Sequence, residues 1–272
     1  MRKMPIIWIL FCGCFVLFAK AEMSNQCIYQ TGSVVQVFDW WADYLTPKHL
    51  EWPIPRHLFC LSQSAPVPRN GSPESLIKLI TWKEDDWFLW SLVRAINSDY
   101  LGNVNANYYK IATNTLFFVQ KVITYTHETD EYWQTPTETL MLRKGDCEDS
   151  AILYVALLYA LQFPVAFGYY YDPVKNAAHL FGLVQVHPTW VAERSGILNK
   201  CWPDRWTIVW RRTDNTVWAI AETTYEPKYW LIGAGGLGCG SIPMAAWQSG
   251  NVWMIDMTGR IYLPPDLLPY MP

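Results

Sequence analysis

Residues 147–161, CEDSAILYVALLYAL, carry apolar side chains on more than one side of a predicted helix. Gly145 precedes this segment, and Pro164 follows it, so the helix is predicted to start at Asp146 to Cys147 and to end near Leu161. The apolar side chains are those of Ile152, Val155, Ala156, Leu158 and Ala160. A helix without one polar face must be covered on several sides, and the chain is therefore expected to fold around it.

Helices are predicted before this segment and strands after it. Ser72 followed by Pro73 predicts a helix start, and Thr135 with Glu138 three residues later forms a capping-box pattern. After Pro164 the apolar period changes to two, in VAFGYYY, in AAHLFGLVQV and in a later hairpin. Helices followed by consecutive antiparallel strands predict an α+β fold. The Trp-rich and Pro-rich segment 27–71 is predicted to be irregular, with short helices.

The N-terminus has the pattern of an export signal. Arg2 and Lys3 precede an uncharged apolar stretch that ends in AKA, a small-x-small cleavage pattern. We interpret residues 1–21 as a signal peptide, because the stretch is shorter than the roughly 18 residues that a spanning helix needs. The location predicted is secreted or at an extracytoplasmic surface. An uncleaved N-terminal segment would instead associate the protein with a membrane.

Export leaves an odd number of cysteines. After removal of residues 1–21 the chain keeps Cys27, Cys60, Cys147, Cys201 and Cys239. In an oxidising compartment at least one of these thiols stays unpaired. We expect Cys27 to pair with Cys60 and Cys201 with Cys239, which leaves Cys147 free, although the sequence alone does not fix the connectivity.

Charge and motifs exclude several classes of ligand. The net charge of −3, without a basic stripe, argues against nucleic acid as a partner. The HETDE segment at His127 lacks the second histidine of a zinc motif, and the cysteines do not form close CxxC pairs. GAGGLGCG is not followed by a clear helix or a phosphate-binding lysine. We therefore predict neither a metal nor a cofactor.

The position of Cys147 suits a nucleophile. A helix N-terminus presents free N–H groups and partial positive charge, which lower the pKa of a thiol and can hold an oxyanion. The neighbouring acids oppose this effect, since a carboxylate favours the neutral thiol. We assign Asp146 to the N-cap. Glu148 and Asp149 are expected to point away from the sulfur, towards backbone or a base such as Arg143.

A thiol nucleophile needs a base and a group that orients the base. His179 lies in the strand AAHLFGL, where an imidazole can face a cysteine on a helix packed against the sheet. Glu222 alternates in phase with Trp218 and Ile220, on a face shared with apolar residues. A carboxylate in such a place is usually paired, and His179 is the expected partner.

Three motifs in this order resemble the transglutaminase-like superfamily. TETLMLRKGDCEDS, a strand with His179, and AIAETTYEP are similar to the prokaryotic transglutaminase-like cysteine peptidases, which carry a GDCED nucleophile segment. The resemblance covers roughly residues 105–233. It implies a papain-like α+β core and a triad of Cys147, His179 and Glu222. By position, Trp133 or Gln134 would supply an oxyanion donor.

The domain boundaries expected from these patterns divide the chain into four parts. Residues 1–21 form the signal peptide and residues 22–100 a mainly helical Trp-rich and Pro-rich region. Residues 101–235 form the transglutaminase-like catalytic core. Residues 236–272 form a tail rich in Gly and Pro, the end of which we interpret as surface chain.

The resemblance implies a cysteine-dependent enzyme that cleaves or transfers amide bonds of protein or peptide substrates through a thioester. The triad does not choose between hydrolysis and transfer to an amine, and the lack of an evident amine-binding feature favours hydrolysis. The alternative is a non-catalytic domain of the same fold. Such a domain would bind extracellular protein or glycan through its aromatic surface, which the Trp-rich N-terminal half suggests.

Overall fold

The computed structural model describes residues 31–42, 46–65, 67–69, 71–82, 84–127, 132–191, 208–211, 213–224, 237–240 and 242–269. The predicted signal peptide, Cys27 and Cys201 lie outside these ranges, as does most of the glycine-rich segment. Within the described residues, every helix is too short or too polar to span a bilayer.

Seven helices and eleven strands make up the described fold. The α-helices are α1 (Arg56–Gln63), α2 (Pro73–Ile80), α3 (Asp86–Ile96), α4 (Val104–Val122), α5 (Pro136–Leu142), α6 (Cys147–Ala160) and α7 (Met244–Gln248). The strands are β1 (Ser33–Ala42), β2 (Thr46–Pro55), β3 (Thr124–Tyr125), β4 (Lys144–Gly145), β5 (Val165–Asp172), β6 (Ala177–Val186), β7 (Ile208–Arg211), β8 (Thr216–Ala221), β9 (Val252–Asp256), β10 (Ile261–Tyr262) and β11 (Leu267–Pro269). The predicted helix starts at Ser72 and Thr135 are confirmed, including the capping box.

The strands assemble around a seven-stranded sheet with the order β10-β9-β5-β6-β8-β7-β11. Neighbouring strands in this sheet pair antiparallel. Helix α6 packs on β5 and β6, and helices α2 to α5 contact it from the other sides. Residues from Ala151 to Leu158 are buried. The prediction of a central buried helix is confirmed, and the fold is an α+β, papain-like core.

The N-terminal segment was expected to be irregular, and this prediction is wrong for residues 33–55. These residues form an antiparallel hairpin of β1 and β2. Phe38, Trp40 and Ala42 are buried while the residues between them are more exposed, which is the alternation of a half-buried strand. The prolines of β2 led us to predict irregular chain instead of a strand. A two-stranded sheet tolerates prolines because each strand has an open edge, where the missing N–H needs no partner.

The C-terminal tail contributes strands to the sheet, and the interpretation of its end as surface chain is wrong for β11. Strand β9 pairs with β5, and β11 pairs with β7. Leu267 is fully buried. Short strands separated by turns gave too weak a periodic signal to be recognised in the sequence.

Candidate active site

The backbone around Cys147 is fixed by Asp149 and Gly145. Asp149 is buried, and its carboxylate accepts the backbone N–H of Asp146 at 3.3 Å and that of Gln134 at 2.7 Å. A Cβ atom on Gly145 would lie 2.5 Å from the Cβ of Asp149, so only glycine fits there. Cys147 is the first residue of α6 and Asp146 its N-cap, as predicted. Asp149 points away from the sulfur, also as predicted.

Glu148 does not point away from the sulfur, which corrects the expectation from the sequence. The Cys147 thiol donates to Glu148 Oε2 at 2.9 Å. Arg143, the expected partner, instead donates to the carbonyl of Val37 on β1. Burial, and then a hydrogen bond with Asp146, raise the pKa of Glu148 to about 7. The Glu148 carboxyl group thus interacts with both Asp146 and the neighbouring thiol.

The Cys147 thiol is held in its neutral form. Burial raises its pKa above the ordinary value, and the charge and hydrogen bond of Glu148 raise it further. The backbone N–H of Leu180 opposes this rise without cancelling it. The expected lowering of the pKa by the helix N-terminus is therefore outweighed by loss of solvent and by one carboxylate.

His179 and Glu222 form a buried pair. The distance from His179 Nε2 to Glu222 Oε2 is 2.8 Å, and the other carboxylate oxygen accepts the N–H and hydroxyl of Thr224. Burial alone would lower the pKa of His179, but the carboxylate of Glu222 raises it above its ordinary value. Burial would likewise raise the pKa of Glu222, and the contact with His179 lowers it. The pair therefore favours imidazolium with carboxylate.

One cleft of about 440 Å³ contains Cys147, Glu148 and His179 in its lining. Glu222 lies behind His179, in contact with its ring. The structure thus brings the three predicted site residues into one region, although the thiol contacts Glu148 in the resting arrangement.

The segment that holds these residues, 94–223, matches the family model Transglut_core, described as the transglutaminase-like superfamily. This segment is a transglutaminase-like core. The superfamily includes cysteine peptidases and transglutaminases, which agrees with the resemblance seen in the sequence. A search of curated proteins found no match.

Solved structures similar to this chain include Legionella pneumophila LapG, at 23% identity over 44% of this chain and 70% of that chain, with a TM-score of 0.29. An EGTA-treated LapG matches at 22% identity, covering 44% and 68% of the two chains, with a TM-score of 0.30. Calcium-bound LapG matches at 24% identity, covering 43% and 67%, with a TM-score of 0.28. Likenesses of this size carry no argument about the chemistry of this chain.

The proposed oxyanion donors of the transglutaminase-like core use their backbone N–H groups elsewhere. Trp133 donates its N–H to the carbonyl of Arg69 at 3.2 Å, and Gln134 donates to Asp149. The backbone N–H of Leu180 faces the sulfur instead. Sequence reasoning missed Leu180 because the approach of β6 to the start of α6 is a tertiary contact.

Tyr125 is a second residue that the sequence did not single out. Its pKa is raised by burial and then by the charges of Cys147 and its acidic neighbours, so its phenol lies near the site. Strand β3 places it there by pairing Tyr125 with Gly145 on β4. The pairing joins segments twenty residues apart, and no local pattern predicts it.

Cys147 is a free thiol. Cys60 and Cys239 are disulfide-bonded, and their predicted partners Cys27 and Cys201 lie outside the described residues. The connectivity therefore stays a prediction. Within the described part of the chain, no group of three His, Cys, Asp or Glu residues is arranged to hold a metal ion.

Proposed function

We propose that this chain is a cysteine-dependent enzyme that cleaves amide bonds of protein or peptide substrates through a thioester. The observation that carries the proposal is the buried pair of His179 and Glu222 beside the same cleft as the free thiol of Cys147. The match to the transglutaminase-like superfamily supports the same class of chemistry.

In the proposed reaction His179 acts as the base. When the pH is above the raised pKa of His179, its imidazole is neutral and donates from Nε2 to Glu222, so Nδ1 is free to receive the proton of the Cys147 thiol. Glu222 then stabilises the imidazolium that forms. The sulfur attacks the amide carbonyl, the C–N bond breaks, and the leaving amine takes the proton from His179. A water molecule then attacks the thioester and passes a proton to His179. The C–S bond breaks, the acid leaves, and His179 returns the proton to the sulfur, which restores the thiol.

The hydrogen bond between Glu148 and the Cys147 thiol must break before this reaction starts. Its carboxylate accepts the S–H hydrogen, and its negative charge opposes formation of a thiolate. Substrate that enters the cleft and displaces the Glu148 side chain would release Cys147 to His179. The resting enzyme would then hold a protected thiol until substrate binds.

Hydrolysis is the favoured outcome because water needs no acceptor site. The alternative is that the acyl group of the same thioester is transferred to an amine. We propose that the protein acts outside the cytoplasm, which rests on the export pattern of residues 1–21. An uncleaved segment would keep it at a membrane.

The proposal is tested by the cleavage of a mixed peptide library, followed by mass spectrometry. The wild type is expected to generate new peptide ends, and Cys147→Ala and His179→Ala to generate fewer by at least about a hundredfold. His127→Ala, which replaces an exposed histidine, is the matched control and should act as the wild type. Amine-linked products in place of new ends would identify transfer. Undiminished products from Cys147→Ala would remove the proposal.

A second candidate function is a non-catalytic binding domain. Trp87 and Trp90 on α3 are 56% and 48% exposed, which is unusual for such large apolar side chains. In that case their replacement by alanine would abolish binding of an extracellular protein or glycan. The Cys147→Ala variant would bind unchanged and have no other defect.

A further inference from the structure

We infer that the cleft beside Cys147 contains a subsite for a large apolar side chain of the substrate, next to the amide that reacts. This inference rests on the proposed function and adds a substrate class to it. The residues that build the subsite come from β10, β9, β5 and β6, and Leu76 and Trp133 also line the cleft.

The apolar wall is continuous across four strands. Ile261 pairs with Ile255, Trp253 pairs with Tyr169, and Tyr169 pairs with Leu180. All five line the cleft. Because residues opposite each other on neighbouring strands share a face, these side chains form one strip that ends at Leu180, the residue after His179.

Trp253 is held in a fixed orientation within this strip. Its ring packs on that of Tyr169, with a centroid distance of 4.9 Å. Such a pair is preorganised, and a substrate side chain that packs against it loses little additional freedom on the protein side. Trp253 is therefore the residue expected to determine specificity.

The charges are confined to one end of the cleft. Of the residues that line it, Glu148, His179 and Cys147 lie at the reacting end, and the remaining side chains are uncharged. A charged substrate side chain would lose its water in the subsite without finding a partner. An acidic one would also meet Glu148. The chemistry of the lining therefore selects aliphatic or aromatic side chains.

The subsite lies largely outside the segment that matches the family model. Trp253, Ile261 and Leu76 fall outside residues 94–223. The reacting groups thus belong to the shared core, while the flanking segments of this chain supply the part of the wall formed by Trp253, Ile255 and Ile261. Specificity and reactivity are therefore separable by mutation.

The test uses N-acetyl-aminoacyl chloromethyl ketones of Leu, Phe, Ala, Glu and Lys, with iodoacetamide as a reagent that lacks a side chain. Cys147 displaces chloride or iodide and forms a thioether, which intact mass and peptide mapping detect. After division by the iodoacetamide rate, the Leu and Phe probes should react at least about tenfold faster than the other three.

Variants identify the wall itself. Trp253→Ala should remove most of the preference for Leu and Phe while the iodoacetamide rate stays unchanged. Trp41→Ala, which replaces an exposed tryptophan on β1, is the matched control and should alter neither rate. Ile261 is 47% exposed, so Ile261→Glu should fold and should increase the rate of the Lys probe several-fold.

The outcomes separate the two proposals. Equal rates for all five probes, or a preference for Glu, with a normal iodoacetamide rate would overturn the subsite and leave the proposed function standing. A Cys147 that reacts with neither iodoacetamide nor any of the five chloromethyl ketones in the native protein, but reacts with iodoacetamide after unfolding in urea, would contradict the proposed function and the subsite with it.

Discussion

Glu148 is the residue for which the difference between the sequence-based expectation and the structure matters most for the site. A carboxylate adjacent to a nucleophile was expected to be an ordinary helix-start residue. Its hydrogen bond with the Cys147 thiol instead makes it a restraint on the sulfur. Glu148 follows Cys147 directly in the sequence, but adjacency in the sequence does not by itself determine whether the two side chains meet.

Replacing Glu148 with Gln should increase the reactivity of Cys147. The amide keeps an acceptor for the thiol but removes the negative charge, so the pKa of Cys147 falls and the thiolate fraction rises. The rate of iodoacetamide labelling at pH 8 is expected to rise by about tenfold, which corresponds to one pKa unit. Glu74→Gln, on exposed helix surface, is the control. An unchanged rate would mean that Glu148 does not restrain the thiol.

The His179–Glu222 pair predicts a pH-dependent stability. The pKa of His179 is raised above its ordinary value of 6.5, so protonated His179 stabilises the fold fully below about pH 6.5. This stabilisation is lost as the pH rises through the raised pKa. The lowered pKa of Glu222 stabilises the fold above its ordinary value of 4.5, and this is lost as the pH falls through the lowered value. Both contributions are present together between these two ordinary values.

Glu222→Gln should therefore lower the free energy of unfolding most near pH 5.5, by about 2 kcal/mol. The loss should shrink as the pH rises through the raised pKa of His179, because the imidazole is neutral above it. Urea unfolding at several pH values measures it. Asp39→Asn removes the exposed pair with His49, in which the Nδ1 to Oδ1 distance is also 2.8 Å, and should have no measurable effect. A loss that does not vary with pH would argue against an ion pair.

At the scale of elements, the contact of α6 with β6 sets the position of the site. Gly182 on β6 lies against the ring of Tyr154 on α6, and a Cβ atom there would be 2.6 Å from that ring. Tyr154 is fully buried, and its hydroxyl donates to the carbonyl of Ala112 on α4. The ring is therefore constrained on both sides, and the helix and the strand touch without a side chain from the glycine.

Gly182→Ala should consequently destabilise the fold by about 1 to 3 kcal/mol, because the buried ring or the helix must shift. It should also slow the labelling of Cys147, since α6 carries the sulfur and β6 carries His179. Gly102→Ala is the matched control, as a Cβ atom there meets nothing within 4 Å. Thermal unfolding measures the first effect. A Gly182→Ala protein with unchanged stability would show that the Tyr154 ring or α6 can shift at little cost in free energy.

Capping signals predicted the helices well, and strand signals were incomplete. Ser72 accepts the N–H of Ser75, and the Thr135 and Glu138 box is formed, because these bonds are local. The hairpin of β1 and β2 was missed because prolines in β2 suggested irregular chain. Its formation depends on the packing of Phe38 and Trp40 on Phe118 of α4, which is not a local interaction.

At the scale of the molecule, the three residues proposed from the sequence lie in one region of the structure, but the sequence did not predict all of their contacts. Cys147, His179 and Glu222 could be proposed from one helix start, one strand and one alternating carboxylate. The partner of the thiol, the approach of Leu180 and the aromatic wall at Trp253 could not. The last two depend on contacts between segments that are distant in the sequence, and neither spacing nor periodicity predicts such a contact.

The place of β9 in the sheet has a consequence for the order of synthesis. Strand β5 is bounded by β6 on one side and by β9 on the other. A ribosome that has made Cys147, His179 and Glu222 has not yet made β9. Until then one edge of β5 stays open, as a template for pairing with other chains. The nascent protein thus carries Cys147, His179 and Glu222 before the strand that bears Trp253 has been made.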